Sequence, residues 1–192
     1  MVRLLTTTAA LVAVGLFAAS AALAQTGQPS APGGSVPQTA PKEALSQQDK
    51  HFVTEAAEGG MTEVELSKIA EKSTNPEIKR FAERMVQDHS AANAELTSIA
   101  ARLGVEVPKT LDTEHQRVRD QLRSLRGKTF DQHYMRVMID DHDKAVKLFR
   151  QEAGSAENAE LKLFAQKTLP TIEQHQKMAL ALSHRLSETA AK

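Results

Sequence analysis

Five ionisable residues stand on stripes that otherwise hold apolar side chains. His89 follows Met85 by four and Val86 by three, and precedes Ala92 by three. His175 lies between Ile172 and Ala179 at the same helical intervals. Asp141 and His142 straddle an apolar stripe through Met138 and Ala145, and Glu63 interrupts the one through Phe52, Ala56, Gly59, Leu66 and Ala70. Burying such groups unpaired is costly, so each needs a partner, a proton or an ion. Thioethers accompany the imidazoles. Met85 precedes His89 by four, Met138 precedes His142 by four, and Met178 follows His175 by three, so each sulfur shares a helix face with a histidine. Thioether with imidazole suits copper, Cu(I) above all, better than iron or zinc. The candidate metal ligands are therefore Glu63, Met85, His89, Met138, Asp141, His142 and His175. The plain alternative is a polar layer that fixes helix register, with methionine filling gaps in the core.

Long helices must carry these residues. Apolar spacing of three and four runs through the chain from Ser46, with almost no β-type alternation, and predicts an all-α fold. Ser46 caps a first helix ending near Lys72; Asn75 and Pro76 open a second, closed by Gly104. A crossing segment around Pro108 and a short helix from Asp112 to a break at Gly127 lead to a third long helix from about Thr129 to Gly154-Ser155. The fourth runs from near Ala156 to about Ser187, with a kink expected at Pro170 because the Gln166 carbonyl loses its donor there. Long amphipathic helices on short turns, with a longer connection between the second and third, predict a ferritin-like four-helix bundle. It occupies residues 46–188.

Residues 1–24 place Arg3 before an apolar run that ends in Ala22-Leu23-Ala24, the pattern of a cleaved secretory signal peptide. The run is too short to span a bilayer, so no membrane span is expected after cleavage. Export to the periplasm or the exterior follows. Residues 25–45, with four prolines and three glycines among Ser, Thr and Gln, read as a disordered linker. The 192 residues carry 24 basic and 24 acidic side chains, no Cys, no Trp and one Tyr. That balance argues against nucleic-acid binding, and the absence of Cys removes disulfides, thiolate metal sites and Cys nucleophiles. Nucleophile elbows, phosphate loops, dinucleotide fingerprints and His-Glu-x-x-His helices are also missing. His51, His115, His133 and His184 fall off the main stripes or near helix ends and read as solvated.

Phe52-Val53 through Ala56-Ala57-Glu58-Gly59 to Glu63 and Leu66 is the first of several strings with a familiar order. The others are Phe81-Ala82-Glu83-Arg84-Met85-Val86-Gln87-Asp88-His89, Phe130-Asp131-Gln132-His133-Tyr134, Met138, Asp141-His142, Leu163-Phe164-Ala165 and Leu169-Pro170 to His175. Together, over Gln48 to His184, they resemble the exported bacterial ferritin-like family called domain of unknown function 4142. The resemblance implies a ferritin-like bundle and an exported location. It implies no activity.

Carboxylate di-iron bundles take a Glu from two helices and Glu-x-x-His from two others. Here Val86, Ile139 and Ile172 stand three residues before His89, His142 and His175, and none can ligate. A di-iron oxidase is disfavoured, and iron ranks below copper. Helix rise gives the depth of each group. Glu63 lies 11 residues before Thr74 and His89 15 after it, about 16 and 22 Å. His142 lies 13 before Ser155 and His175 20 after it, about 20 against 30 Å. The first two are thus expected to meet, whereas His175 is expected to face Tyr134 or Met135. The leading reading is a non-enzymatic bundle of the envelope, with a polar layer of Glu63, His89, Asp141 and His142, no certain cofactor, and a protein partner and oligomeric state left unspecified. The alternative is a periplasmic transition-metal protein, copper first.

Overall fold

A computed structural model describes residues 44–188. The expectations for residues 1–24 and for the linker up to residue 43 lie outside the described residues. Five helices follow in order: α1 (Gln47–Ala70), α2 (Pro76–Leu103), α3 (Thr113–Ser124), α4 (Gly127–Ser155) and α5 (Ala159–Glu188). No strand occurs among the described residues.

Local chemistry sets the helix ends. The Ser46 hydroxyl accepts the Asp49 amide at 3.0 Å, and Asn75 Oδ1 accepts the amides of Glu77 and Ile78, with Pro76 where no amide is needed. Gly104 ends α2 at φ 73°, a left-handed turn that costs glycine nothing. Two boundaries differ from expectation. Gly127 is the first residue of α4 rather than a break before it, and α5 begins at Ala159, because Asn158 Oδ1 accepts the amides of Glu160 and Leu161. A second cap comes from afar. The buried Asp49 carboxylate on α1 accepts the amides of Glu157 at 3.3 Å and Asn158 at 3.1 Å, tying the start of α1 to the α4–α5 turn. α5 continues as helix through Pro170.

α1 packs along α2 and α4 along α5; α1 also meets α4, and α2 meets α5. Short turns make the sequential pairs antiparallel, while α3 crosses the outside of the bundle against α1 and α4. The core has two apolar clusters. One gathers Leu66, Ile78, Phe81, Met85, Phe130, Tyr134, Met135, Met138, Ala179 and Leu182. The other gathers Phe52, Val53, Leu96, Ile99, Val146, Phe149, Leu161, Phe164 and Ile172, with Phe52 edge-on to Phe149 at 5.0 Å. Each full burial of such a side chain stabilises the fold by roughly 1.5–3 kcal/mol. Along every long helix a buried ionisable residue lies between the two clusters: Glu63 on α1, His89 on α2, His142 on α4 and His175 on α5.

Candidate metal centre

The four polar residues between the clusters converge. Glu63, His89, His142 and His175 are each at most 7% exposed. His89 Nδ1 lies 2.9 Å from Glu63 Oε2, His89 Nε2 lies 3.2 Å from His175 Nδ1, and His175 Nε2 lies 2.9 Å from Asp88 Oδ2. His142 Nδ1 lies 2.7 Å from the Met138 carbonyl. One ring nitrogen from each histidine falls within 4.8 Å of the other two.

Which nitrogen holds the proton follows from the partners. Carboxylates and carbonyls only accept, so His89 donates from Nδ1 to Glu63, His175 from Nε2 to Asp88, and His142 from Nδ1 to Met138. In the neutral rings the remaining nitrogens carry lone pairs: His89 Nε2, His175 Nδ1 and His142 Nε2. The first two face each other, an arrangement that requires a proton or a cation between them. His142 Nε2 is buried and has no hydrogen-bond partner. Glu63 Oε1 is likewise unpartnered; His142 Nδ1 approaches it at 3.2 Å, but its hydrogen is directed to Met138. Three buried imidazoles with ring nitrogens close enough to share one ion, and N–H groups held by carboxylates or a carbonyl, have the usual outer arrangement of metal-binding histidines.

Charge in the cluster is unevenly shared. Burial pushes Glu63 up, but His89 and His142 outweigh it and hold the carboxyl at about 2. Burial opposes a charge on His89, yet Glu63 overrides this and raises its proton affinity. Burial lowers His142, and burial with the neighbouring His89 brings His175 down to about 4. Of the three rings, His89 is the one whose surroundings favour a proton.

Against expectation, His175 meets His89 and His142 rather than Tyr134. Measured from the observed helix ends, His142 lies 13 residues before Ser155 and His175 16 after Ala159, about 20 and 24 Å. Side chains lean toward their own helix N-terminus. His175 therefore leans back toward the α4–α5 turn while His142 leans away from it, and the remaining gap closes. Tyr134 bonds instead to the Ser67 hydroxyl at 2.8 Å.

Asp141 stands at the rim, its side chain 20% exposed and 3.7 Å from Lys144; burial and then Glu63 raise it to about 6. Met85 and Met138 are fully buried in the cluster around Tyr134, and Met178 packs against that cluster. Met138 contributes its backbone carbonyl to His142. His51 and His184 are exposed as expected, but His115 and His133 are half-buried. Asp88 was missed by the sequence reading, since it faces outward on α2 and only the neighbouring α5 makes it a partner of His175. The long-range bonds of Asp49 and the burial of Glu152 have no sequence signal either, for both residues lie near helix ends where no stripe marks them.

A family model for a domain of unknown function, DUF4142, matches residues 34–182. The chain belongs to that family. No curated protein matches. Among solved structures, the chain is similar to a DUF305 fragment from Deinococcus radiodurans, with a TM-score of 0.64 and 16% identity over 73% of this chain and 98% of that one. At that identity the likeness shows a shared helical fold.

Proposed function

We propose that this protein is an exported transition-metal-binding bundle, in which His89, His142 and His175 hold one ion, Glu63 and Asp88 orient two of the rings, and the Met138 carbonyl orients the third. The observation that carries this reading is that one ring nitrogen of each of the three buried histidines lies within 4.8 Å of the other two, with His142 Nε2 left unpartnered. Imidazole donors suit zinc, copper, nickel and iron, and the general affinity order puts Cu(II) first. The signal-like segment at residues 1–24 supports a role outside the cytoplasm, where such an ion is met. A bound ion displaces the His89 proton and relieves the contact between His89 and His175.

A docking role for an apolar face has less support. The exposed large apolar side chains among the described residues, Leu163 and Leu180, lie 17 residues apart on α5, about 25 Å along its axis, and form no single patch.

The test is metal retention. Chelator-stripped protein is dialysed against Cu(II), Zn(II), Co(II) or Ni(II), and the bound metal is counted by mass spectrometry. One ion per chain is expected, falling to background in His142→Ala and His175→Ala with helicity retained. No retention, or retention indifferent to both substitutions, makes the cluster a register-setting polar layer with a proton at its centre.

A further inference from the structure

A cavity that none of the metal-site residues lines lies at the C-terminal end of α1. It encloses about 820 Å³ between the last turns of α1, the α1–α2 turn, the end of α3 and the start of α4. Half-buried Ile69 and Leu125 give it an apolar floor, with Leu122 and Phe130 buried beneath them. Four cationic side chains, Lys68, Lys72, Arg123 and Arg126, stand in its walls against two carboxylates, Glu65 and Asp131. Both carboxylates are engaged elsewhere. Arg119, outside the cavity, holds Glu65 Oε2 at 3.5 Å, and the Ser73 hydroxyl donates to Asp131 Oδ1 at 2.6 Å. The cations are short of partners. Neither Lys68 nor Lys72 has an ion pair among the described residues. Arg123 approaches Asp120 at 3.6 Å, but Arg119 holds that carboxylate at 3.0 Å. Arg126 Nη1 donates to the carbonyls of Arg123 and Leu125 at 2.5 and 2.6 Å, which fix the guanidinium over the α3–α4 link without neutralising it. α4 starts at the same wall, at Gly127, with no side-chain cap and no acid in its first turn, so its positive end adds to the excess.

We infer that this cavity binds a small amphipathic anion, an organic carboxylate whose head meets the Lys68, Lys72, Arg123 and Arg126 side chains and whose apolar body lies on Ile69 and Leu125. The site is separate from the proposed metal centre and does not depend on it. Charge selects the head. Four cations beside two engaged carboxylates attract an anion and repel a cation, and a carboxylate accepts charge-assisted bonds from lysine and from the arginine fork. The floor selects the body, because a hydrocarbon chain laid on isoleucine and leucine takes both surfaces out of water, which a small hydrated ion does not. Size agrees as well: sites that enclose one small organic molecule span roughly 300–1,000 Å³. A bilayer fits less well, since the floor lies within a recess that a flat surface does not enter.

Decanoate, kept monomeric and titrated into the full chain by calorimetry, is the probe, with acetate as the head group alone. One decanoate per chain is expected, bound more weakly as salt is added, with acetate undetected over the same range. The double variant Lys68→Gln/Lys72→Gln removes two exposed charges that the fold does not pair. It should raise the dissociation constant about tenfold, as loss of a charge-assisted hydrogen bond implies, with helicity unchanged by circular dichroism. Ile69→Ala should raise it roughly fivefold through lost apolar contact. Absence of saturable decanoate binding overturns the site. Binding indifferent to the lysine pair and to Ile69→Ala places decanoate elsewhere on the chain and overturns it equally. Acetate binding as tightly as decanoate overturns the apolar half of the inference. Co-sedimentation with phosphatidylglycerol vesicles, without binding of monomeric decanoate, overturns the small-molecule site in favour of a membrane surface.

Discussion

Two buried carboxylate-bearing clusters lie in this bundle, and only one asks for a ligand. At the end of the bundle, Asp49 and Glu152 are each 1% exposed. Two backbone amides occupy Asp49, Gln48 Nε2 donates to Glu152 Oε2 at 3.2 Å, and Glu152 Oε1 is left unpartnered. One proton resolves this, since burial, against Gln48 but with the nearby Asp49 carboxylate, pushes Glu152 up to about 7 and a protonated Glu152 donates to its neighbour. At mid-bundle the same device falls short. A proton between His89 and His175 satisfies that pair and still leaves His142 Nε2 and Glu63 Oε1 empty. Buried polarity is thus a sign of function only after protons and backbone groups have been assigned.

The largest effect that would break this contrast is ligand-induced stability. With free Cu(II) at about a hundred times its dissociation constant, mass action adds about 2.7 kcal/mol, a rise of roughly 5–10 °C in the unfolding midpoint. Calorimetry should show it in the native chain and in Glu152→Gln and lose it in His175→Ala. A shift retained in His175→Ala would place the ion elsewhere.

Next comes the end cluster. Asp49→Ala should cost about 2 kcal/mol by denaturant titration, because it orphans the amides of Glu157 and Asn158. It should leave metal stoichiometry unchanged. A loss of metal together with stability would join the two regions that the structure separates.

The smallest effect concerns pH. Glu152 binds its proton more tightly folded than unfolded, so its contribution is full below about pH 4.5 and is lost as pH rises through about 7. Glu152→Gln keeps the neutral form, and at pH 8 it should be about 1 kcal/mol more stable than the native chain, with a flatter profile between pH 5 and 8. An unchanged profile would mean that Glu152 is ionised and paired in the fold.

Helical period and end caps made most of the fold legible. Ser46, Asn75, Pro76 and Gly104 act locally, through hydrogen bonds within a turn of themselves, so their positions in the chain suffice. The inward ring of each long helix was legible for the same reason: Glu63, His89, His142 and His175 break stripes that are otherwise apolar. Asp88 was not legible as part of the site. It matters through a neighbouring helix, α5, and no periodicity within α2 reveals a partner on another element.

The sequence by itself determined that this chain is a bundle of four long helices, each with an ionisable group on its inward stripe, because amphipathic period and capping are properties of neighbours in the chain. Tertiary structure alone decided that the four groups share one level. Helix stagger, the true start of α5 at Ala159 and the lean of each side chain toward its own N-terminus act together across about 25 Å of helix, and an error of one turn in any of them separates three histidines into unrelated residues.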